Sequence, residues 1–469
     1  MLLVSSDTIA ILARLVPVSE IPSIARINGL YKIDGKEALK LKYTTTTTII
    51  MAPTAISSAS SHIPIPSKAQ PTSTSKEIDR SIFPDGFKTS GQHPPLYDKL
   101  YPYSVFPKHI TGPTVWSSSD YASHAEQWTH VFSATEIAEL SAAADAFLAQ
   151  NLPLTGINPG NFPLPSMAAS LSAMRNELLN GKGFILYKGF PVDEWGNHKS
   201  AVAYMGLGTY IGYPVSQNGR GHILGHVKDL GEDSRAIDKV RIYRTNARQF
   251  FHADDSDVVG LLCIARAQEG GESDVACVHA VWNILQDEYP DVAELLTQPI
   301  WYFDRKGEVS VGEEPYIRTS VFYLETPQPQ PDDHQNQTGA EQRVYCKWDP
   351  YYVRSLSRFS DAGLIPALSA AQVHALETLE AVCNRVKLHM ILEIGDIQFL
   401  SNEHILHART EYRDYAPETG MPRRHLMRLW LSTPVSEGGW RLPFHDADER
   451  KRGGIQVDDT PPVARLDAD

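Results

Sequence analysis

The stretch Gln249–Cys263, QFFHADDSDVVGLLC, sets one histidine and three carboxylates (His252, Asp254, Asp255 and Asp257) against an almost unbroken apolar run. That run, DVVGLLCIARA over Asp257–Ala267, has the length and apolar content of a buried strand. Charge concentrated at the edge of such a strand needs a cause. On an extended chain residues i and i+2 share a face, so His252 and Asp254 can reach one point. A neutral imidazole and a carboxylate converging there supply two ligands for a divalent transition metal. Taken alone the His-x-Asp pair is a weak signal, because a strand-end histidine beside a solvated acidic turn has the same spelling. Asp255 and Asp257 read as acceptors for turn amides.

A two-histidine, one-carboxylate face needs a further histidine from a distant strand end. Of the 17 histidines, His389, His404, His407 and His425 lie near suitable elements. The segment SNEHILHART (Ser401–Thr410) carries two of them. Three residues reverse the side on an extended chain, so His404 and His407 cannot both face one ion.

Around this centre the spacing predicts a mixture of short strands and a few covering helices. Ser133 and Glu136 form a capping-box pattern ahead of a helix, and Ser369 with Gln372 opens a long one running to about His389. A further helix is predicted over Ala168–Leu179, and another from Ser200 that breaks at its glycines. Strands are expected at Gly183–Pro191, Lys239–Thr245, Gly395–Asn402 and Arg423–Ser432. The Pro- and Gln-rich segment Thr326–Gln342 reads as a surface loop. The fold class this implies is α+β, one large domain on a β-sandwich or barrel.

The bulk numbers agree with a globular enzyme-sized chain. It has 469 residues, 42% hydrophobic and 21% charged. A net charge of −13 with no long basic block argues against nucleic acid and acidic membrane surfaces as partners. The four cysteines (Cys263, Cys277, Cys346 and Cys383) form no CxxC pair and read as buried thiols. No apolar run is long enough to span a bilayer, and a cytoplasmic location is expected. The first 80 residues read differently. The opening MLLVSSDTIAILARLVPV lacks a basic lead and is interrupted by Arg14, so it is a poor signal peptide. A Thr run and a Ser/Pro/Thr-rich tract follow, a composition that packs no core. Met51 offers a second start, and residues 1–50 are read as an extension without function. The domain is expected over 81–469.

Four elements, in order, resemble the taurine dioxygenase-like (TauD/TfdA) Fe(II)/2-oxoglutarate-dependent oxygenases, in the clavaminate synthase-like branch. They are FFHADDSD (Phe250–Asp257), GGESD (Gly270–Asp274), SNEHILHAR (Ser401–Arg409) and RRHLMRLWLS (Arg423–Ser432). The resemblance spans about residues 83–443 and implies a double-stranded β-helix (jelly-roll) core with flanking helices. It implies Fe(II) on His252, Asp254 and His407, since the family's distal histidine precedes a small residue and an arginine. His404 is then a bystander. It carries 2-oxoglutarate onto Arg424, with the Ser273 hydroxyl touching the same carboxylate, and the prime substrate's acidic group onto Arg428. An inserted APETGMP (Ala416–Pro422) lengthens the step from His407 to Arg424 to seventeen residues. Arginine suits the task because its planar fork pairs bidentately with a carboxylate.

Ile397 and Phe399, two apart and leading toward His407, are read as pocket lining. Gln217 and the segment Tyr243–Asn246 are read as substrate contacts. The implied reaction uses O₂, releases succinate and CO₂, and oxidises an aliphatic C–H of a small carboxylate or sulfonate. Hydroxylation is its default outcome, and desaturation or ring closure (aziridine formation from an amino acid, as in fungal secondary metabolism) stays open. So does a homo-oligomer. Two rivals remain at this level: a zinc hydrolase on the same triad, and a non-catalytic jelly-roll binding protein. The paired Arg424 and Arg428 discriminate against the hydrolase, which has no use for a dicarboxylate fork, and the intact triad argues against the binding protein.

Overall fold

The computed structural model describes residues 24–27, 30–33, 100–325, 342–442 and 449–468. The chain divides into two compact units, Met1–Thr74 and Ser75–Asp469. In the first, the described residues are one antiparallel pair, Ile24–Ile27 against Leu30–Ile33. The rest of the low-complexity segment lies outside the described residues, as does the insertion over 326–341.

The second unit is α+β, and its core is a double-stranded β-helix. A larger sheet runs in the order Val463–Ala464, His222–Lys228, His425–Ser432, Val258–Ala265, Ile397–Ser401, Phe184–Lys188, Thr129–Val131. Facing it is a four-stranded sheet in the order Leu388–Met390, Ser273–Cys277, Ile405–Arg409, Gln249–His252. Pairing is antiparallel within both, except where the two edge strands of the larger sheet lie parallel to their neighbours.

Helices cover the larger sheet on its outer side. Ala134–Ala149 and Ala168–Asn180 pack there with Val192–Gly208. The first begins at Ser133, whose hydroxyl accepts from the Glu136 amide while Glu136 accepts from the Ser133 amide at 2.8 Å. The smaller sheet is backed by Val278–Glu288, Pro290–Thr297 and Ala370–Val386. The last opens at the expected Ser369–Gln372 box but stops before His389, because the chain turns into the Leu388–Met390 strand.

Period-two alternation decides which side chains enter the barrel. In His425–Ser432, Met427, Leu429 and Leu431 join the helical layer, whereas Leu426, Arg428 and Trp430 point inward. In Ile397–Ser401, Ile397 and Phe399 belong to the helical layer with Tyr187 and Val258, and Gln398 lines the interior. This corrects the sequence expectation for Ile397 and Phe399. The two do share a face, but it is the outer one, buried against helices. Val258–Ala265 is apolar almost throughout because both of its faces are covered. At Gly260 a Cβ would lie 2.6 Å from both the Phe399 ring and the Tyr204 hydroxyl, which fill the space.

The expected strand at Lys239–Thr245 is a single 3₁₀ turn, Ile242–Arg244. Its amides bond locally instead, Arg244 to the Arg241 carbonyl and Thr245 to the Ile242 carbonyl. The four cysteines are buried and free, as expected. No helix among the described residues is long and apolar enough to cross a membrane.

Candidate metal centre

His252 and His407 are directly paired across neighbouring strands, so their rings face one another with centroids 4.1 Å apart. Asp254, two residues on from His252, reaches the same space. The three offer donor atoms that all lie within 4.8 Å of one another, and all three residues are buried. His252 Nδ1 donates to the Phe250 carbonyl at 3.0 Å, which leaves the Nε2 lone pair facing the carboxylate, 3.7 Å from Asp254 Oδ1. That lone pair accepts from the Gln249 amide at 2.9 Å. His407 Nε2 lies 3.9 Å from Asp254 Oδ2. Burial, reinforced by the neighbouring His252 ring, pushes the pKa of His407 down to about 3, so its ring is neutral at physiological pH. This donor set, two imidazoles and one carboxylate, suits non-haem iron.

The carboxylate is held on every side. Trp430 Nε1 donates to Oδ2 at 2.9 Å, and the Asp254 amide donates to Asn402 Oδ1 at 3.1 Å. Burial alone raises the pKa of Asp254, but the charge of Arg428, the two imidazoles and the Trp430 bond outweigh it, and the net shift is downward. Arg428 Nη1 lies 3.3 and 3.4 Å from the two Asp254 oxygens. Its Nε donates to Gln217 Oε1 at 2.8 Å, and its guanidinium stacks at 4.7 Å on both Tyr243 and Trp430.

Gln217 therefore acts on Arg428, gripping its side chain and, through Nε2, its carbonyl at 2.8 Å. This revises the reading of Gln217 as a substrate contact: the chain directs its amide at the arginine. The space it occupies exists because Gly225, paired opposite Arg428, has no side chain, and a Cβ there would lie 2.1 Å from Gln217 Oε1.

One cavity joins this centre to the second arginine. Arg424 and Ser273 line it together with the triad, Arg409 and Gln398. Ser273 Oγ donates to Gln398 Oε1 at 3.1 Å, and Arg424 Nη2 donates to the Gly271 carbonyl at 3.0 Å. Arg424 Nη1 is buried with no partner, as are Nε and Nη1 of Arg409. Burial, with the adjacent charge of Arg424, lowers the pKa of Arg409 to about 10. Gly271 has φ +77°, and a Cβ there would sit 2.6 Å from Arg424 Nε.

His404 lies outside the three-residue cluster. It is fully buried, stacks on Trp440 at 5.2 Å and approaches the Gly181 carbonyl at 3.2 Å. Asp255 pairs with Lys347 at 2.8 Å, and Asp257 accepts from the Thr433 amide at 2.6 Å. Sequence reasoning missed Gln398, Arg409 and Trp430. The parity signal was present for two of them, since Arg409 follows His407 by two and Trp430 follows Arg428 by two; for Gln398 periodicity left the inward face open.

The taurine catabolism dioxygenase TauD, TfdA family model matches residues 150–430, more than half of the chain. The chain belongs to this family. As a TauD/TfdA protein it is a non-haem iron oxygenase that uses 2-oxoglutarate, and the described donor set fits that metal. FR-33289 synthase of Streptomyces rubellomurinus is 28% identical over 341 residues, covering 72% of this chain and 94% of that protein. The taurine hydroxylase-like protein SAT17 of Stachybotrys chartarum is 27% identical over 344 residues, covering 70% and 83% respectively. Among solved structures, an asparagine oxygenase in complex with Fe(II), 3-hydroxyasparagine and succinate superposes with a TM-score of 0.47 at 16% identity, over 65% of this chain and 93% of that one.

Proposed function

We propose that this TauD/TfdA oxygenase oxidises an aliphatic C–H of a small substrate bearing a carboxylate or sulfonate, such as an amino acid or a taurine-like compound. The observation that carries the reading is the cavity that holds a buried His-Asp-His set at one end and guanidinium N–H groups without partners at the other. In it His252 Nε2, Asp254 and His407 Nε2 hold iron, and Arg424 takes the far carboxylate of 2-oxoglutarate. Iron, when bound, supplies oxidative decarboxylation of 2-oxoglutarate by O₂ and the oxidising power for the C–H bond.

The chain's own side chains orient and shield. Trp430 and Asn402 fix the Asp254 segment. Leu261, Leu426 and Val227 give the cavity apolar walls that exclude water. The Arg428 contacts to Asp254 are long for charge-assisted bonds, which run about 2.7–2.9 Å. With a cation on Asp254, the charge of Arg428 serves the substrate's anionic group, and Tyr243 stacks on its guanidinium. The similarity to a taurine hydroxylase-like protein supports a small anionic substrate. A zinc hydrolase is not favoured, because it leaves the buried charge of Arg424 without a role.

The test is an anaerobic titration of Fe(II)-loaded protein with 2-oxoglutarate, read as the weak visible charge-transfer band of the chelate. A panel of amino acids, small sulfonates and their uncharged analogues is then screened for substrate-stimulated succinate release. Absence of the band defeats the iron and co-substrate assignment. A band with stimulation only by uncharged compounds defeats the substrate class.

A further inference from the structure

Arg409 and Arg424 approach the same ring, with their guanidinium carbons 4.8 and 4.9 Å from the centroid of Tyr412. Both are buried, at 7% and 6% exposure, and both line the cavity of the metal centre. Each spends part of its fork on backbone: Arg409 Nη2 donates to the Thr245 and Ala247 carbonyls, and Arg424 Nη2 donates to the Gly271 carbonyl. Three guanidinium nitrogens are left over, Nε and Nη1 of Arg409 and Nη1 of Arg424. Among the described residues neither arginine is paired with a carboxylate. Two like charges confined in one apolar-walled cavity repel unless an anion lies between them.

The register adds position. Arg409 stands directly opposite Ser273 in the smaller sheet, and Ser273 Oγ lies on the same cavity. A carboxylate has about four lone-pair sites. The three orphaned nitrogens supply donors for three of them, and the Ser273 hydroxyl reaches the fourth only by turning from Gln398 Oε1. We propose that Arg409 is a second cationic arm of the co-substrate site, sharing the far carboxylate of 2-oxoglutarate with Arg424. The inference rests on the reading that Arg424 receives that carboxylate. It makes this end of the cavity selective for dicarboxylate 2-oxo acids over monocarboxylate ones of the same length.

Calorimetric titration of the Fe(II)-loaded protein without oxygen tests this, using 2-oxoglutarate and 2-oxopentanoate. The second ligand has the same chelating head and no far carboxylate. Arg409→Gln is expected to weaken 2-oxoglutarate by about 10- to 100-fold, the loss of one charge-assisted pairing. It should leave 2-oxopentanoate within about 2-fold, because no charged bond to that ligand is lost. A strut that merely holds the Thr245–Ala247 backbone would weaken both ligands alike, and that outcome overturns the proposal. So does an unchanged 2-oxoglutarate affinity. Arg424→Gln is the control: if it leaves the preference intact, the underlying co-substrate assignment fails instead. Should Arg409→Gln be insoluble, Arg409→Lys, which keeps the charge but loses the fork, is read the same way. A reduced preference then supports the proposal and an unchanged one overturns it.

Discussion

The bond from His252 Nδ1 to the Phe250 carbonyl leaves the Nε2 lone pair for a cation, so the backbone selects the tautomer before any metal arrives. From this, His252→Ala, Asp254→Ala and His407→Ala should each abolish stoichiometric Fe(II) binding in equilibrium dialysis. His404→Gln should retain it, since that ring packs on Trp440 away from the triad. Retention in the His407 variant with loss in the His404 variant would reverse the assignment. Another buried histidine contributes to the loss of stability in acid. His279 is buried beneath His404, and burial, then the His404 charge, lowers its pKa to about 3. The unfolded chain, with an ordinary histidine pKa near 6.5, takes up this proton first as pH falls. Stability from neutral His279 is thus complete above about pH 6.5 and is lost toward the folded pKa, at about 1.4 kcal/mol per pH unit. In urea unfolding of metal-free protein, His279→Gln should show a shallower decline between pH 6.5 and 4.5 than wild type. Parallel curves would refute this account.

Among elements, the segment 449–468 contributes more than its composition suggests. It adds the strand Val463–Ala464 to the larger sheet, and the Ile455 amide donates to the Ser216 carbonyl at 2.8 Å. Its Arg452 enters the interior, donating to Asp257 Oδ2 from Nε at 2.9 Å and to the Trp440 carbonyl at 2.6 Å, with Glu403 Oε1 3.5 Å away. Arg452→Met leaves two buried carboxyls without their cation and should lower unfolding stability by about 3–5 kcal/mol. A loss below about 1 kcal/mol would show the cluster to be indifferent to it. Nothing in ERKRGG announced this role, because a charge run at a chain's end has the composition of a solvated tail. The His-x-Asp step was legible for the opposite reason, since its geometry follows from strand periodicity, whereas the choice of His407 over His404 came from the family resemblance, because periodicity says only that the two cannot share a face. Periodicity says that Ile397 and Phe399 share a face but not which one, and only the helices packed outside the sheet decide it. The strand expected at Lys239–Thr245 failed too, since the Arg244 and Thr245 amides bond locally rather than to a partner strand.

For the whole molecule, the unit boundary at Thr74 and Ser75 coincides with the end of the low-complexity tract. A chain beginning at Ser75 should remain soluble, melt within about 2 °C of full length and bind Fe(II) equally, since surface changes outside a packed core move stability little. Aggregation of that truncation would assign the first segment a structural part. The unit that remains couples distant positions through its sheets, and Gly225 shows how. A methyl group there displaces Gln217, which releases Arg428, which bears on Asp254. In genetic terms, 225 and 217 are an epistatic pair. Gly225→Ala is expected to raise the Michaelis constant of the prime substrate in a background that retains Gln217, and shortening that side chain by Gln217→Asn should suppress the defect in part. Independent, additive effects on that constant would show that the two sites do not communicate. A lineage that fills position 225 must therefore shorten residue 217 as well.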